Sequence, residues 1–66
     1  MQVINLEVGN LSPEQKKELI TKFTEVAVEV TNIPKQFFVV TIRELPDENL
    51  GIGGETVAEI KTKIGN

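Results

Sequence analysis

The 66-residue chain contains no cysteine, histidine, tryptophan or tyrosine. Without cysteine there is no disulfide to staple a small fold, no thiolate nucleophile and no thiolate metal site. Without histidine the commonest acid/base side chain and metal ligand is missing as well, so no metal site is expected. No apolar run approaches the ~18 residues of a membrane span, and the chain does not open on positive charge followed by an apolar stretch. Seven basic and ten acidic residues are interspersed to a net charge of −3, with no basic run of the kind nucleic acid requires. These absences describe a cytoplasmic protein without cofactor, with neither nucleic acid nor membrane as partner. The length allows one domain, residues 1–66, and a domain of this size buries only about 60% of its unfolded surface. Association with other subunits is the expected source of further burial.

What is present is strongly punctuated. Gln2, Ile4, Leu6 and Val8 alternate with Val3, Asn5 and Glu7, which predicts a strand from Gln2 to Val8 that Gly9-Asn10 turns out. Ser12-Pro13-Glu14-Gln15 then reads as a helix start: Ser12 as N-cap, Pro13 where a missing N–H costs nothing, Gln15 closing a capping box. Leu19, Ile20, Phe23, Val26, Ala27 and Val30 form an apolar stripe at helical spacing, opposite a solvated face that includes a Glu18/Lys22 pair. Asn32 is the expected helix stop, with Pro34 just beyond it. A second strand is predicted from Phe37 to Glu44, with Phe38, Val40 and Ile42 on one face and Phe37, Val39, Thr41 and Arg43 on the other. Leu45 to Asn49 is a turn-rich break.

Two strands joined by a helix of this length make a right-handed β-α-β unit with parallel strands. One helix covers one face of such a sheet. The other face would carry Val3, Phe37, Val39 and Thr41, too apolar to be left in water, and a second subunit is its natural cover. Beyond the break, Gly51-Ile52-Gly53-Gly54 matches neither the dinucleotide nor the P-loop glycine pattern, so a tight hairpin or bulge is expected. Val57, Ile60 and Ile64 then fit a short helix or a tail docked on a neighbour.

Together the Ser12-Pro13-Glu14-Gln15-Lys16 helix start, Pro34 before the second strand, and Glu44 followed by Gly51-Ile52-Gly53-Gly54-Glu55 resemble the 4-oxalocrotonate tautomerase family. The likeness covers nearly the whole chain, and the opening Val3 to Gly9 is similar to the short-loop, DmpI-like branch. It implies an α+β fold, with two parallel strands under one helix and a C-terminal hairpin or short helix. It also implies a homohexamer built as a trimer of dimers, or a heterohexamer, with no metal or organic cofactor.

The resemblance further implies keto-enol tautomerisation of a small 2-oxo or 2-hydroxy acid by an N-terminal proline amine. An α-amino group ordinarily has a pKa of ~7.7–8.0, and desolvation or nearby cations lower it toward the range a general base needs. Strand phase puts the proline position at Gln2, and ungapped counting from the helix start puts it at Met1. The family's first-loop arginine falls at Asn10 or Leu11, its second-strand arginine at Val39, and its pre-hairpin aromatic at Leu50. Arg43 shares the Val39 strand face, roughly 13 Å further along at ~3.3 Å per residue. Lys35, in the turn before the second strand, is the remaining candidate to bind a substrate carboxylate. A methionine followed by Gln2 is expected to be retained, which makes the terminal amine primary. The readings that follow are an isomerase working through that amine, a silent small-molecule-binding member, and a structural subunit of a heterohexamer.

Overall fold

The structure is a computed structural model that describes residues 1–65. In chain order it has β1 (Gln2–Val8), α1 (Pro13–Thr31), a 3₁₀ turn (Lys35–Phe37), β2 (Phe38–Glu44), a second 3₁₀ turn (Asp47–Asn49), β3 (Gly51–Ile52), β4 (Glu55–Thr56) and α2 (Val57–Lys63). β1 and β2 pair in parallel from Gln2↔Phe38 to Val8↔Glu44. The expected α+β, β-α-β arrangement under one helix is what the chain forms.

Local chemistry sets the ends of α1. Ser12 Oγ accepts the Gln15 N–H at 3.1 Å, and Gln15 Oε1 accepts the Ser12 N–H at 3.0 Å, a complete capping box. At the other end Asn32 adopts a left-handed conformation (φ 61°) and donates its N–H to the Val28 carbonyl, the geometry that closes helices. The helix is long because its interior has no breaker after Pro13. It packs chiefly over β2.

Two sequence expectations need correction here. The second strand begins at Phe38, because the Pro34 and Lys35 carbonyls take the Phe37 and Phe38 N–H groups and wind this segment into a 3₁₀ turn. Phe37 therefore lies outside the alternation that would have placed it with Val39. The apolar stripe of α1 is also only partly covered. Leu19, Phe23 and Ala27 are half-buried along with Lys16, Thr24 and Val28, while Ile20, Val26 and Val30 remain exposed. A two-stranded sheet is narrower than the stripe, so its flanks overhang.

The sheet faces differ, although Val39 on the face away from α1 is itself half-buried. Ile4, Leu6, Val8, Phe38, Val40 and Ile42 are half-buried, mostly beneath α1. On the bare face the rows run Val3/Val39, then Asn5/Thr41 joined by a side-chain hydrogen bond, then Glu7/Arg43 joined by an ion pair at 3.4 Å. Val3 is 53% exposed.

The remainder is an arm. β3 and β4 form a two-residue hairpin in which Gly53 (φ 63°) and Gly54 (φ 90°) both take left-handed backbone, as a type I′ turn demands. A second capping box, Thr56 with Glu59, starts α2. The arm packs mainly on itself, α2 against β4 and the second 3₁₀ turn. The result is elongated, 45 × 24 × 16 Å with a radius of gyration of 15.7 Å, against about 11 Å for a compact domain of this length. No described side chain is fully buried.

Candidate functional site

Parallel pairing puts the start of β1 beside the start of β2. Met1 is 86% exposed at the tip, Gln2 is paired with Phe38 and Val3 with Val39. The chain opening is therefore held by a strand ladder from its second residue, over a floor of valines. No carboxylate, imidazole or thiol occurs at positions 1–4 or 33–40. The basic groups at this end are the terminal amine and Lys35.

Lys35 is placed differently from the other candidates. It lies in the turn leading to β2 and lines two shallow depressions against α1, one with Thr24, Glu25, Val28 and Glu29 and the other with Ile20, Thr21, Thr24 and Glu25. Its positive charge thus faces acidic neighbours on the helix.

The other sequence-derived positions are elsewhere. Asn10 and Leu11 follow β1 at the opposite end of the sheet, and six strand rises separate Val8 from Gln2, roughly 20 Å at ~3.3 Å each. Leu11 borders a third depression with Gln15, Glu18, Leu19 and Lys22. Leu50 sits at the base of the arm, half-buried, its carbonyl accepting the Val57 N–H at 2.8 Å. One protomer thus brings together Met1, Gln2, Val39 and the Lys35 turn. It keeps Asn10, Leu11 and Leu50 away from them.

Sequence reasoning missed Glu44 as a positioning group. Its carboxylate accepts the Leu11 N–H at 3.0 Å and the Lys16 ammonium at 2.8 Å, tying the β1–α1 loop to the end of β2. The Lys16 hydrogen bond, then the Leu11 N–H, hold its pKa below the ordinary glutamate value. Nothing local signals this, because the partners are 28 and 33 residues away. Arg43 is engaged by Glu7 at the same far end. Among the described residues no cluster of acidic side chains is arranged to hold a metal ion, and no helix is long and apolar enough to cross a membrane.

A β-α-β unit that pairs its second residue into a parallel strand ladder, followed by a glycine hairpin, is the architecture of a small tautomerase. The comparisons agree: the family model described as "Tautomerase enzyme" matches residues 3–60, and the chain belongs to that family. A probable tautomerase of Campylobacter jejuni is 37% identical over 65 residues, 96% of each chain. The crystal structure of DmpI from Helicobacter pylori superposes with a TM-score of 0.79 at 34% identity, covering 86% of this chain and 97% of that one. A heterohexamer 4-oxalocrotonate tautomerase from Chloroflexus aurantiacus gives a TM-score of 0.81 at 26% identity, covering 91% and 98%.

Proposed function

We propose that this chain is a tautomerase-type isomerase that interconverts the enol and keto forms of a small 2-oxo or 2-hydroxy acid, with its terminal amine as general base. The observation that carries the reading is the chain opening itself, where the Gln2↔Phe38 pairing holds the terminus at a sheet end whose other basic group, Lys35, is turned toward α1. In its neutral form the amine accepts the enol O–H proton. The ammonium so formed returns a proton to the carbon as the C=C electron pair moves there and the carbonyl forms. No cofactor takes part. Gln2 occupies the proline position of the resemblance, so the base in this chain is the primary amine of Met1. That nitrogen lies one residue, about 3.3 Å, from where a proline at position 2 would put it. Turnover is expected to be slow, because a displacement of ~1 Å can already cost about a hundredfold.

Assembly belongs to the same proposal. Met1, Gln2 and Val39 lie at one end of the protomer and Asn10 and Leu11 at the other, so these positions form one site only between subunits. The uncovered sheet face and the lack of any fully buried side chain supply the physical reason to associate. We take the assembly to be a cytoplasmic homohexamer, a trimer of dimers, in which residues 1–66 act as one domain. Gln2 favours a second reading: a subunit that binds ligand silently, or that serves a heterohexamer whose other chain carries the active amine.

The test combines intact mass, light scattering and an assay with phenylenolpyruvate. The expected result is retained Met1, a particle of six chains, and turnover that disappears on acetylating the terminal amine. Turnover indifferent to acetylation removes the amine from the mechanism, and no turnover above the solvent rate leaves the silent reading.

A further inference from the structure

We infer that Asn10 is the residue the β1–α1 loop offers to a ligand, that Leu11 is not, and that Glu44 is the positioning residue behind this choice. The inference rests on the shared site proposed above and names its contact on the loop side.

The loop is short and pinned on both flanks. On one, the Val8 carbonyl accepts the Leu45 N–H at 2.8 Å, which carries the strand ladder to the edge of the loop. On the other, Glu44 Oε2 accepts the Leu11 N–H at 3.0 Å and Gln15 Oε1 accepts the Ser12 N–H at 3.0 Å. The Glu44 carboxylate is itself held, its Oε1 taking the Lys16 ammonium at 2.8 Å. Gly9 and Asn10 are the two residues left to span between these fixed points.

The two candidate side chains are placed differently by that arrangement. Leu11 is half-buried and borders the depression on α1 with Gln15, Glu18, Leu19 and Lys22, where an alkyl group gains by leaving water. Its side chain has no hydrogen-bonding group for an acid or an enol. Asn10 is exposed, and its side chain takes part in none of the contacts that pin the loop. A carboxamide has two N–H donors and an acceptor oxygen. It can donate to a carboxylate or keto oxygen, and it can accept an enol O–H. One neutral group thus serves both tautomers, which is binding shared by substrate and product and not reserved for the transition state. Glu44 acts through the backbone: its hold on the Leu11 N–H fixes where the chain turns toward α1, and with that where residue 10 is presented. Because Lys16 compensates its charge, this anchor sets no net negative charge beside an anionic ligand.

The test uses the full chain in its assembled form, with phenylenolpyruvate as substrate and cinnamate as a ligand that does not tautomerise. Cinnamate is expected to shift the side-chain NH2 signals of Asn10. Asn10→Ala is expected to raise KM, and the Kd of cinnamate, about fivefold, the size of one neutral hydrogen bond, with a smaller change in kcat because the lost contact serves both tautomers. Asn10→Asp should weaken cinnamate further, since it keeps the shape, loses the donors and sets like charge against the carboxylate. Glu44→Ala should raise both constants to a similar extent and add little to Asn10→Ala, the coupling of residues that act through one another. Glu44→Gln keeps an acceptor for the Leu11 N–H and should restore most of the binding. Unchanged constants in Asn10→Ala overturn the inference, as does a larger rise from Leu11→Met, and additive effects of Glu44→Ala and Asn10→Ala overturn the positioning role. Cinnamate shifts at Asn10 without turnover defeat the isomerase reading alone, and turnover whose KM ignores Asn10→Ala defeats this inference alone. Neither binding nor turnover defeats both.

Discussion

The β-α-β body and the C-terminal arm are of one chain and yet are held together by opposite means. In the body the decisive contacts are distant in sequence: β1 pairs with a strand 36 residues later, and Glu44 reaches back to Leu11 and Lys16. In the arm they are local, a two-residue turn, a capping box, and ion pairs spanning 8 and 14 residues. A region built on distant contacts needs burial to hold them. The body has half of that burial, under α1, and lacks it on the other face. The arm owes its shape to turn and cap chemistry, and an outside surface would fix its position more than its conformation.

This contrast can be broken most severely at the bare face. Val39→Asp would place a charge where the proposed assembly buries a valine, at a cost of several kcal/mol; light scattering is expected to show dissociation and circular dichroism a lost cooperative melt. An unchanged particle and melting temperature would mean that the face needs no cover. In the arm, Gly54→Val forces a β-branched residue to φ 90°. No heavy atom outside its chain neighbours lies near the added carbon, so the expected loss of about 1–2 kcal/mol is conformational and should appear as faster hydrogen exchange across β3, β4 and α2.

The two capping boxes give a matched and smaller comparison. Ser12→Ala and Thr56→Ala each remove one N-cap, about 1 kcal/mol apiece. The first is expected to lower the global melting temperature, whereas the second should be confined to α2 amides. Equal global effects would show that the arm and the body unfold as one unit. The smallest effect is that of acid. Glu44 in the body and Glu59 in the arm both have pKa values lowered by their hydrogen bonds, from Lys16 and from the Thr56 N–H respectively. Each therefore adds stability that is complete above the ordinary glutamate pKa and is lost as pH falls through the folded value. Glu44→Gln should flatten the acid limb of global stability, and Glu59→Gln only that of α2.

How much of this was readable from sequence follows the same division. Ser12, Gln15, Asn32 and the Gly53-Gly54 turn act within a few residues, and their roles stand as read. The Thr56-to-Glu59 signature is equally legible, although the spacing of Val57, Ile60 and Ile64, which fits a short helix or a docked tail, is what carries the expectation. Phe37 was misplaced because its β propensity is ordinary and the Pro34 carbonyl that captures its N–H leaves no mark on alternation. Val26 and Val30 carry a helical period without revealing that the sheet below is too narrow to cover them. For the site, Gln2 and Val39 come from the family resemblance, with strand phase choosing Gln2 over Met1, whereas the roles of Glu44 and Arg43 depended on partners 28 to 36 residues away. Those distances are set by the crossover, which no local pattern encodes.

The parallel register also sets an order of events as the chain folds. The arm can close its hairpin on the ~1–10 μs scale of local structure, but every β1–β2 pair must first close a loop of 36 residues, an entropic cost that precedes any gain. The arm is thus expected to be formed while β1 and β2 still expose both edges. For that interval the chain is a folded handle attached to two unpaired apolar strands, and another copy arriving early would meet strand edges before it met a finished face.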